Sequence, residues 1–189
     1  MLQTGVDSDQ YPFARLLFLV GSTLIIFYAA LLMVQTGALL IRLNLNDAAT
    51  LLAAALSLAY YWLVGVRLYR LHWRALAVGF LGLLLLSALC ALIAGYYFDL
   101  SWDGRDYQQK AIRELVAGWN PLYSVLQPEN VYDNTWLNHY PKGAWIAAAS
   151  VVRLFNHIEA GKIFNLLLIA AVLLIALAFF LPYTPIPIS

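Results

Sequence analysis

Four stretches of this chain, residues 16–41, 48–66, 75–97 and 163–181, contain no Asp, Glu, Lys or Arg. A helix needs about 20 mainly apolar residues to cross a hydrocarbon core roughly 30 Å thick, and each stretch supplies them. A fifth apolar run, 143–155, is shorter and reads as a short or tilted span, with Trp145 near one end and Arg153 snorkelling at the other. The chain has 189 residues, 63% of them hydrophobic and 11% charged. A soluble domain of that size cannot bury so much apolar surface, so lipid must be its solvent. The expected class is therefore all-α integral membrane protein with about five transmembrane helices.

Other classes recede on similar grounds. A formal net charge of +1 gives no footprint for nucleic acid. Cys90 is the only cysteine, which excludes an internal disulfide and disfavours a cysteine-built metal site. The first fifteen residues hold Asp7, Asp9 and Pro12 and a single base, Arg15. They lack the basic start and cleavage site of a signal peptide, so the first apolar run is expected to be a retained span.

Orientation follows from Lys and Arg in short links. Arg67, Arg70 and Arg74, with His72 among them, join the second and third runs. That link is expected in the cytoplasm, with the N-terminus. Alternation then puts 98–142 outside and the turn with His157 and Lys162 back inside. The expected organisation is a three-span region, 1–97, an extracytoplasmic loop, 98–142, and two further spans with a short proline-rich tail, 143–189. Gln35 and Thr36, mildly polar within the first run, are expected to pack on another helix.

Charge concentrates in the loop, which carries six acids (Asp99, Asp103, Asp106, Glu114, Glu129 and Asp133) against four bases (Arg105, Lys110, Arg113 and Lys142), a net charge of −2. Asp103 is placed to cap a helix over 104–117, with Asp106 in its first turn and Gly118 as its stop. Ile112, Leu115, Val116 and Trp119 recur at i, i+3, i+4 and i+7 and form one apolar face. Such a helix is expected to lie flat on the membrane surface, among Trp102, Trp119, Trp136 and several tyrosines that suit the interface.

The order WDGRDY, an amphipathic helix, GWNPLY, HYPKG before a short span, and LFNHIEAGKIFNLLLIAAVLLIA resembles the N-terminal part of GT-C-type integral-membrane glycosyltransferases. The protein mannosyltransferase and aminoarabinose transferase branch is the nearest in pattern. The resemblance covers roughly residues 90–181, about half the chain. It implies a sugar donor on polyprenyl phosphate, an acceptor at the outer membrane surface, inversion at the anomeric carbon, and a bacterial inner membrane setting. In that family an Asp of the first large external loop, often in Asp-Glu-x-x-Tyr, lies at the catalytic centre. The matching residue is Asp103. The family's second acid is here Gly104, and its Pro-Pro pair is Pro141-Lys142. Two spans precede the one that enters the loop, where many relatives have none. Family members also have more spans, so this chain is expected to be an N-terminal piece or to need a partner subunit.

Inverting transfer needs a carboxylate to take the acceptor's proton, and the resemblance gives Asp103 that role beside the capping one. Asp99 and Asp106 are the weaker acidic candidates. Tyr107 reads either as an acceptor-orienting group or as an interfacial tyrosine. A lipid phosphate wants a cation at the membrane surface, for which Lys142, His139 and Arg105 are the candidates, with Lys142 equally readable as an ordinary interfacial lysine. No cofactor is expected. The acidic loop could hold a divalent cation through water, though no spacing resembles a dedicated metal site. A non-catalytic multi-spanning subunit or scaffold is the competing reading. A transporter has little support, because the spans hold almost no ionisable residue to mark a pathway.

Overall fold

A computed structural model describes residues 12–126 and 136–181. Asp7, Asp9, Glu129, Asp133, the side chain of Asp106 and the proline-rich tail from Pro182 lie outside the described residues. Among those described, every regular element is helical. Four helices are long and apolar enough to cross a membrane: α1 (Pro12–Leu40), α2 (Asp47–Leu63, prolonged by a π-helical turn at Val64–Leu68), α3 (Trp73–Tyr96) and the last. The loop contains a π-helical turn, Gly104–Gln108, that runs straight into α4 (Gln109–Val116). Then come α5 (Gly143–Phe155), a 3₁₀ turn (Ile158–Lys162) and the fourth long helix, α6 (Ile163–Phe180).

α1 is the central post. It packs along both α2 and α6 and also touches α3 and α5. Close approach needs small residues, as is usual between helices in lipid, where packing rather than water drives association. A Cβ on Gly21 would come within 2.8 Å of the Ala171 carbonyl oxygen and 2.9 Å of Ile175 Cγ1. A Cβ on Gly79 would come within 2.6 Å of the Tyr61 hydroxyl, which donates to the Leu76 carbonyl at 2.6 Å. Polar groups along these interfaces are paired. Gln35 is fully buried; its amide donates to the Asn46 carbonyl at 2.9 Å and to Thr50 Oγ1 at 3.0 Å, which fixes the α1–α2 corner. Asn46 in turn caps α2 by accepting from the Ala49 amide at 2.8 Å. The packing expected of Gln35 is thus found, and its partner is α2.

Helix directions follow from these contacts. Gly21 meets Ala171 and Ile175, whereas Phe27 and Tyr28 meet Phe164, so α6 runs antiparallel to α1. Arg15 near the start of α1 donates to the Tyr69 carbonyl at 3.2 Å, beside the arginine-bearing link. The four long helices alternate, and the last returns toward the end of the bundle where α1 began.

α5 does not add a crossing. Its 13 residues give about 20 Å, short of the hydrocarbon thickness. Trp145 to Val152 are all buried, so the helix is covered all round by protein. Near its C-terminal end Arg153 does not snorkel; its Nε meets Asp47 Oδ1, in the first turn of α2, at 3.2 Å. The alternation expected from a fifth span fails for the same reason. Lys162 donates to the Tyr97 carbonyl, and Glu159 accepts from the Asp99 amide, so the turn expected on the opposite side stands on the same side as the 98–142 loop.

The face of α4 also differs from expectation. Ile112, Leu115 and Trp119 are nearly fully buried, but against Leu39, Leu45, Leu137, Trp145, Ile146, Ala149 and Val152 rather than against lipid. The face is thus taken up by a protein cluster to which α5 contributes Trp145, Ile146, Ala149 and Val152. A Gly21→Val substitution is expected to separate α1 from α6 and to lower stability by about 1–3 kcal/mol, measurable as an earlier unfolding midpoint in mixed detergent micelles.

Candidate functional site

The loop helix begins with a cap that is not the expected one. Ser101 Oγ accepts from the Gly104 amide at 3.0 Å, and Asp99 Oδ1 accepts from the Ser101 amide at 2.9 Å and from its hydroxyl at 2.6 Å. Asp103 already has helical backbone angles, φ −57° and ψ −44°, and its side chain caps nothing. A side chain caps from just ahead of the first turn, where Ser101 stands; Asp103, with helical angles, lies inside that turn. Asp103 is exposed and makes no side-chain hydrogen bond among the described residues.

Gly104 opens the π-helical turn, a feature that often marks functional positions. A Cβ here would run into the Asp99 carboxylate. The resemblance leads one to expect an acid at 104; a side chain there would displace the Asp99 carboxylate, which this chain brings to the same place from position 99.

Asp99 and Gly104 line a cavity of about 200 Å³ together with Gln108, Gln109, Trp145, Glu159, Lys162 and Asn165. Glu159 is its best-bound group, with only 4% exposure. Lys162 Nζ lies 2.6 Å from its Oε2, the Asp99 amide donates to Oε2 at 3.2 Å, and Gln109 Nε2 donates to Oε1 at 3.3 Å. A buried carboxylate needs such partners, because removing it from water without them costs several kcal/mol. Asp99 differs. The Ser101 hydroxyl, then the Ser101 amide, and at longer range Lys162 hold its carboxyl below the ordinary carboxylate range, against an opposing effect of burial. It is ionised at neutral pH.

Trp145 also belongs to an aromatic nook. Tyr140 stacks on Trp136 with ring centroids 5.2 Å apart and meets Tyr107 at 5.4 Å and Trp145 at 6.4 Å. Lys142 Nζ lies 5.4 Å from the Trp145 ring and 5.8 Å from the Trp119 ring, and donates to the Tyr140 carbonyl. Burial pushes its ammonium pKa down. No carboxylate pairs with it among the described residues. Lys142 also precedes α5, whose first amides add partial positive charge.

Of the residues singled out in the sequence, Lys142 and Tyr107 are thus brought together through Tyr140 and Trp145. Asp103 stands one residue outside the cavity lining; Arg105 and His139 are exposed and outside both groups. The residue that sequence reasoning missed is Glu159. Its signal was an acid, with Lys162 three residues on, in a short turn between two apolar helices, where an unpaired charge would be costly. Among the described residues no three His, Cys, Asp or Glu side chains gather as a metal site would require.

The chain matches no protein-family profile, no curated protein sequence and no solved structure.

The Asp99–Ser101 bond has a pH signature. Because the folded-state pKa of Asp99 is lowered, its contribution to stability is fully present above the unfolded value of about 3.9 and is lost as pH falls through the folded value. Ser101→Ala removes the largest cause of that shift, so the folded value rises and the stability lost as pH falls below about 4 shrinks. Unfolding midpoints of wild type and variant across that range check it; parallel curves would show that the hydroxyl does not hold the carboxylate.

Proposed function

We propose that this chain carries the reaction face of a GT-C-like glycosyltransferase, which moves a sugar from polyprenyl phosphate to an acceptor at the membrane surface. The observation that supports it is the proximity, on one face of the bundle, of a carboxylate-lined cavity and a half-buried ammonium without a carboxylate partner in an aromatic nook, Trp145 being shared by both. A cavity of about 200 Å³ is small beside the roughly 300–1,000 Å³ of drug-sized ligand sites and suits a single sugar ring.

In this reading the acceptor hydroxyl attacks the anomeric carbon, the bond from that carbon to the phosphate oxygen breaks, and the lipid phosphate leaves with the electron pair. Asp103, exposed and without a hydrogen-bonded partner, takes the acceptor's proton. Asp99, with its basicity lowered by Ser101, stays ionised and offsets positive charge developing on the sugar. Lys142 and the first amides of α5 offset the phosphate, and Tyr107 orients the acceptor. Arg105 and His139 lie outside the cavity and the nook and take no step in this reading. The reading sets this face outside the cytoplasm of a bacterial cell, in the inner membrane. Arg67, Arg70 and Arg74 at the other end of the bundle support that side assignment. Further spans or a partner subunit would complete the enzyme.

The test is binding of a short-chain polyprenyl-phosphate sugar to the chain in nanodiscs, followed by turnover with added acceptor. Lys142→Ala is expected to weaken donor binding about tenfold, the loss of roughly 1.4 kcal/mol. Asp103→Asn is expected to keep donor binding and to slow transfer by about 10²–10⁴-fold. Absence of donor binding by wild type would overturn the reading and leave a membrane scaffold or subunit.

A further inference from the structure

Immediately after α3 the chain carries a concentration of apolar side chains that protein does not cover. Tyr96, Tyr97, Phe98, Leu100 and Trp102 are between 64% and 79% exposed. On α3 itself Leu89, Leu92, Ile93 and Tyr96 fall at i, i+3, i+4 and i+7 and are all exposed, so one lipid-facing stripe leads directly into this segment. α3 has 24 residues, about 36 Å, against a hydrocarbon core of roughly 30 Å. Residues just beyond Tyr96 therefore fall at headgroup depth.

The backbone of the same segment is turned the other way. The Tyr97 amide donates to the Ile93 carbonyl at 3.3 Å, and the Tyr97 carbonyl accepts from Lys162. The Asp99 amide donates to Glu159 at 3.2 Å, and the Ser101 amide to Asp99 at 2.9 Å. Irregular chain enters a membrane boundary more readily when its peptide groups have partners within the protein, since acyl chains supply none. In this segment the Tyr97 amide and carbonyl and the Asp99 and Ser101 amides have such partners. Its polar side chains, Asp99 and Ser101, hydrogen-bond to each other, and Asp99 lines the cavity, while the aromatic rings and Leu100 stand exposed. Tyrosine and tryptophan, with an apolar body and a polar edge, are the residues that favour this depth.

We infer that residues 96–102 form a membrane-inserted strap, held by Glu159 and Lys162 on its protein side and embedded in the headgroup–acyl boundary on the other. The partner is the lipid leaflet itself, continuous with the surface that α3 already presents. The strap, and not the apolar face of α4, is what anchors the loop to the membrane. It fixes the Asp99 carboxylate at the depth of that boundary. The inference does not depend on the catalytic reading above.

The experiment uses the full chain in vesicles of phosphatidylethanolamine and phosphatidylglycerol, in a Cys90→Ala background. A nitroxide is attached at Leu100→Cys, and at Leu92→Cys and Arg113→Cys as lipid and water references. Collision with dissolved oxygen and with a water-soluble nickel chelate reads the depth. The label at 100 is expected to collide with the nickel chelate several-fold less than the label at 113, and with oxygen more, approaching the values at 92. A label at 98 reads the same depth and replaces Leu100→Cys if that variant does not assemble. Nickel accessibility equal to that at 113 would put the strap in water. Exclusion of both reagents would put protein over it. Either result overturns the inference.

Discussion

The carboxylate of Glu159 is the constraint around which the loop face is organised. It is almost wholly removed from water, so it must be neutralised and hydrogen-bonded or it would destabilise the fold. Its three partners come from three separate parts of the chain: the amide of Asp99 just past α3, Gln109 at the start of α4, and Lys162 before α6. Satisfying one charge thus ties together the end of one membrane helix, the turn before the next, and the start of the loop helix. Lys162 tightens the arrangement by also taking up the Tyr97 carbonyl.

With those three segments fixed, α5 has a defined place. It fills the space beneath α4 with an apolar surface on every side, and its ends are held at the loop face by Arg153 on Asp47 and by Lys142 against Trp119 and Trp145. Trp145 belongs to both groups on this face: it lines the cavity that holds Asp99 and the Glu159–Lys162 pair, and its ring lies 5.4 Å from the Lys142 ammonium. Glu159 is neutralised within the cavity by Lys162, whereas Lys142 has no carboxylate partner among the described residues and stays available to an anion, which is the electrostatic basis of the functional reading.

Much of this was legible from residues alone, where the physical rule is local. The boundaries of the long helices were visible because lipid tolerates no unpaired charge. The apolar face of α4 was visible as well, since Ile112, Leu115 and Trp119 share a helical period. What that face meets was not visible, because the same stripe fits a leaflet or another helix equally well. Asp103 looked like a cap because Asp commonly caps; the cap went to Ser101 once Asp99 had turned onto it. Gly104 looked like a gap in a motif, and became intelligible only when the Asp99 carboxylate was seen to occupy the space its side chain would need.

The sequence by itself determined a helical membrane protein with four apolar runs long enough to cross a bilayer, and left a fifth, shorter run as an expected span, because hydrophobic length is a property of consecutive residues. It also determined that polar chemistry collects beyond α3, where charge returns to the chain. Only the tertiary structure decided that residues 143–155 are a buried core helix and that Glu159 faces the loop. A 13-residue apolar helix has one sequence whether it tilts through lipid or is wrapped by protein, and what surrounds it is fixed by partners distant along the chain.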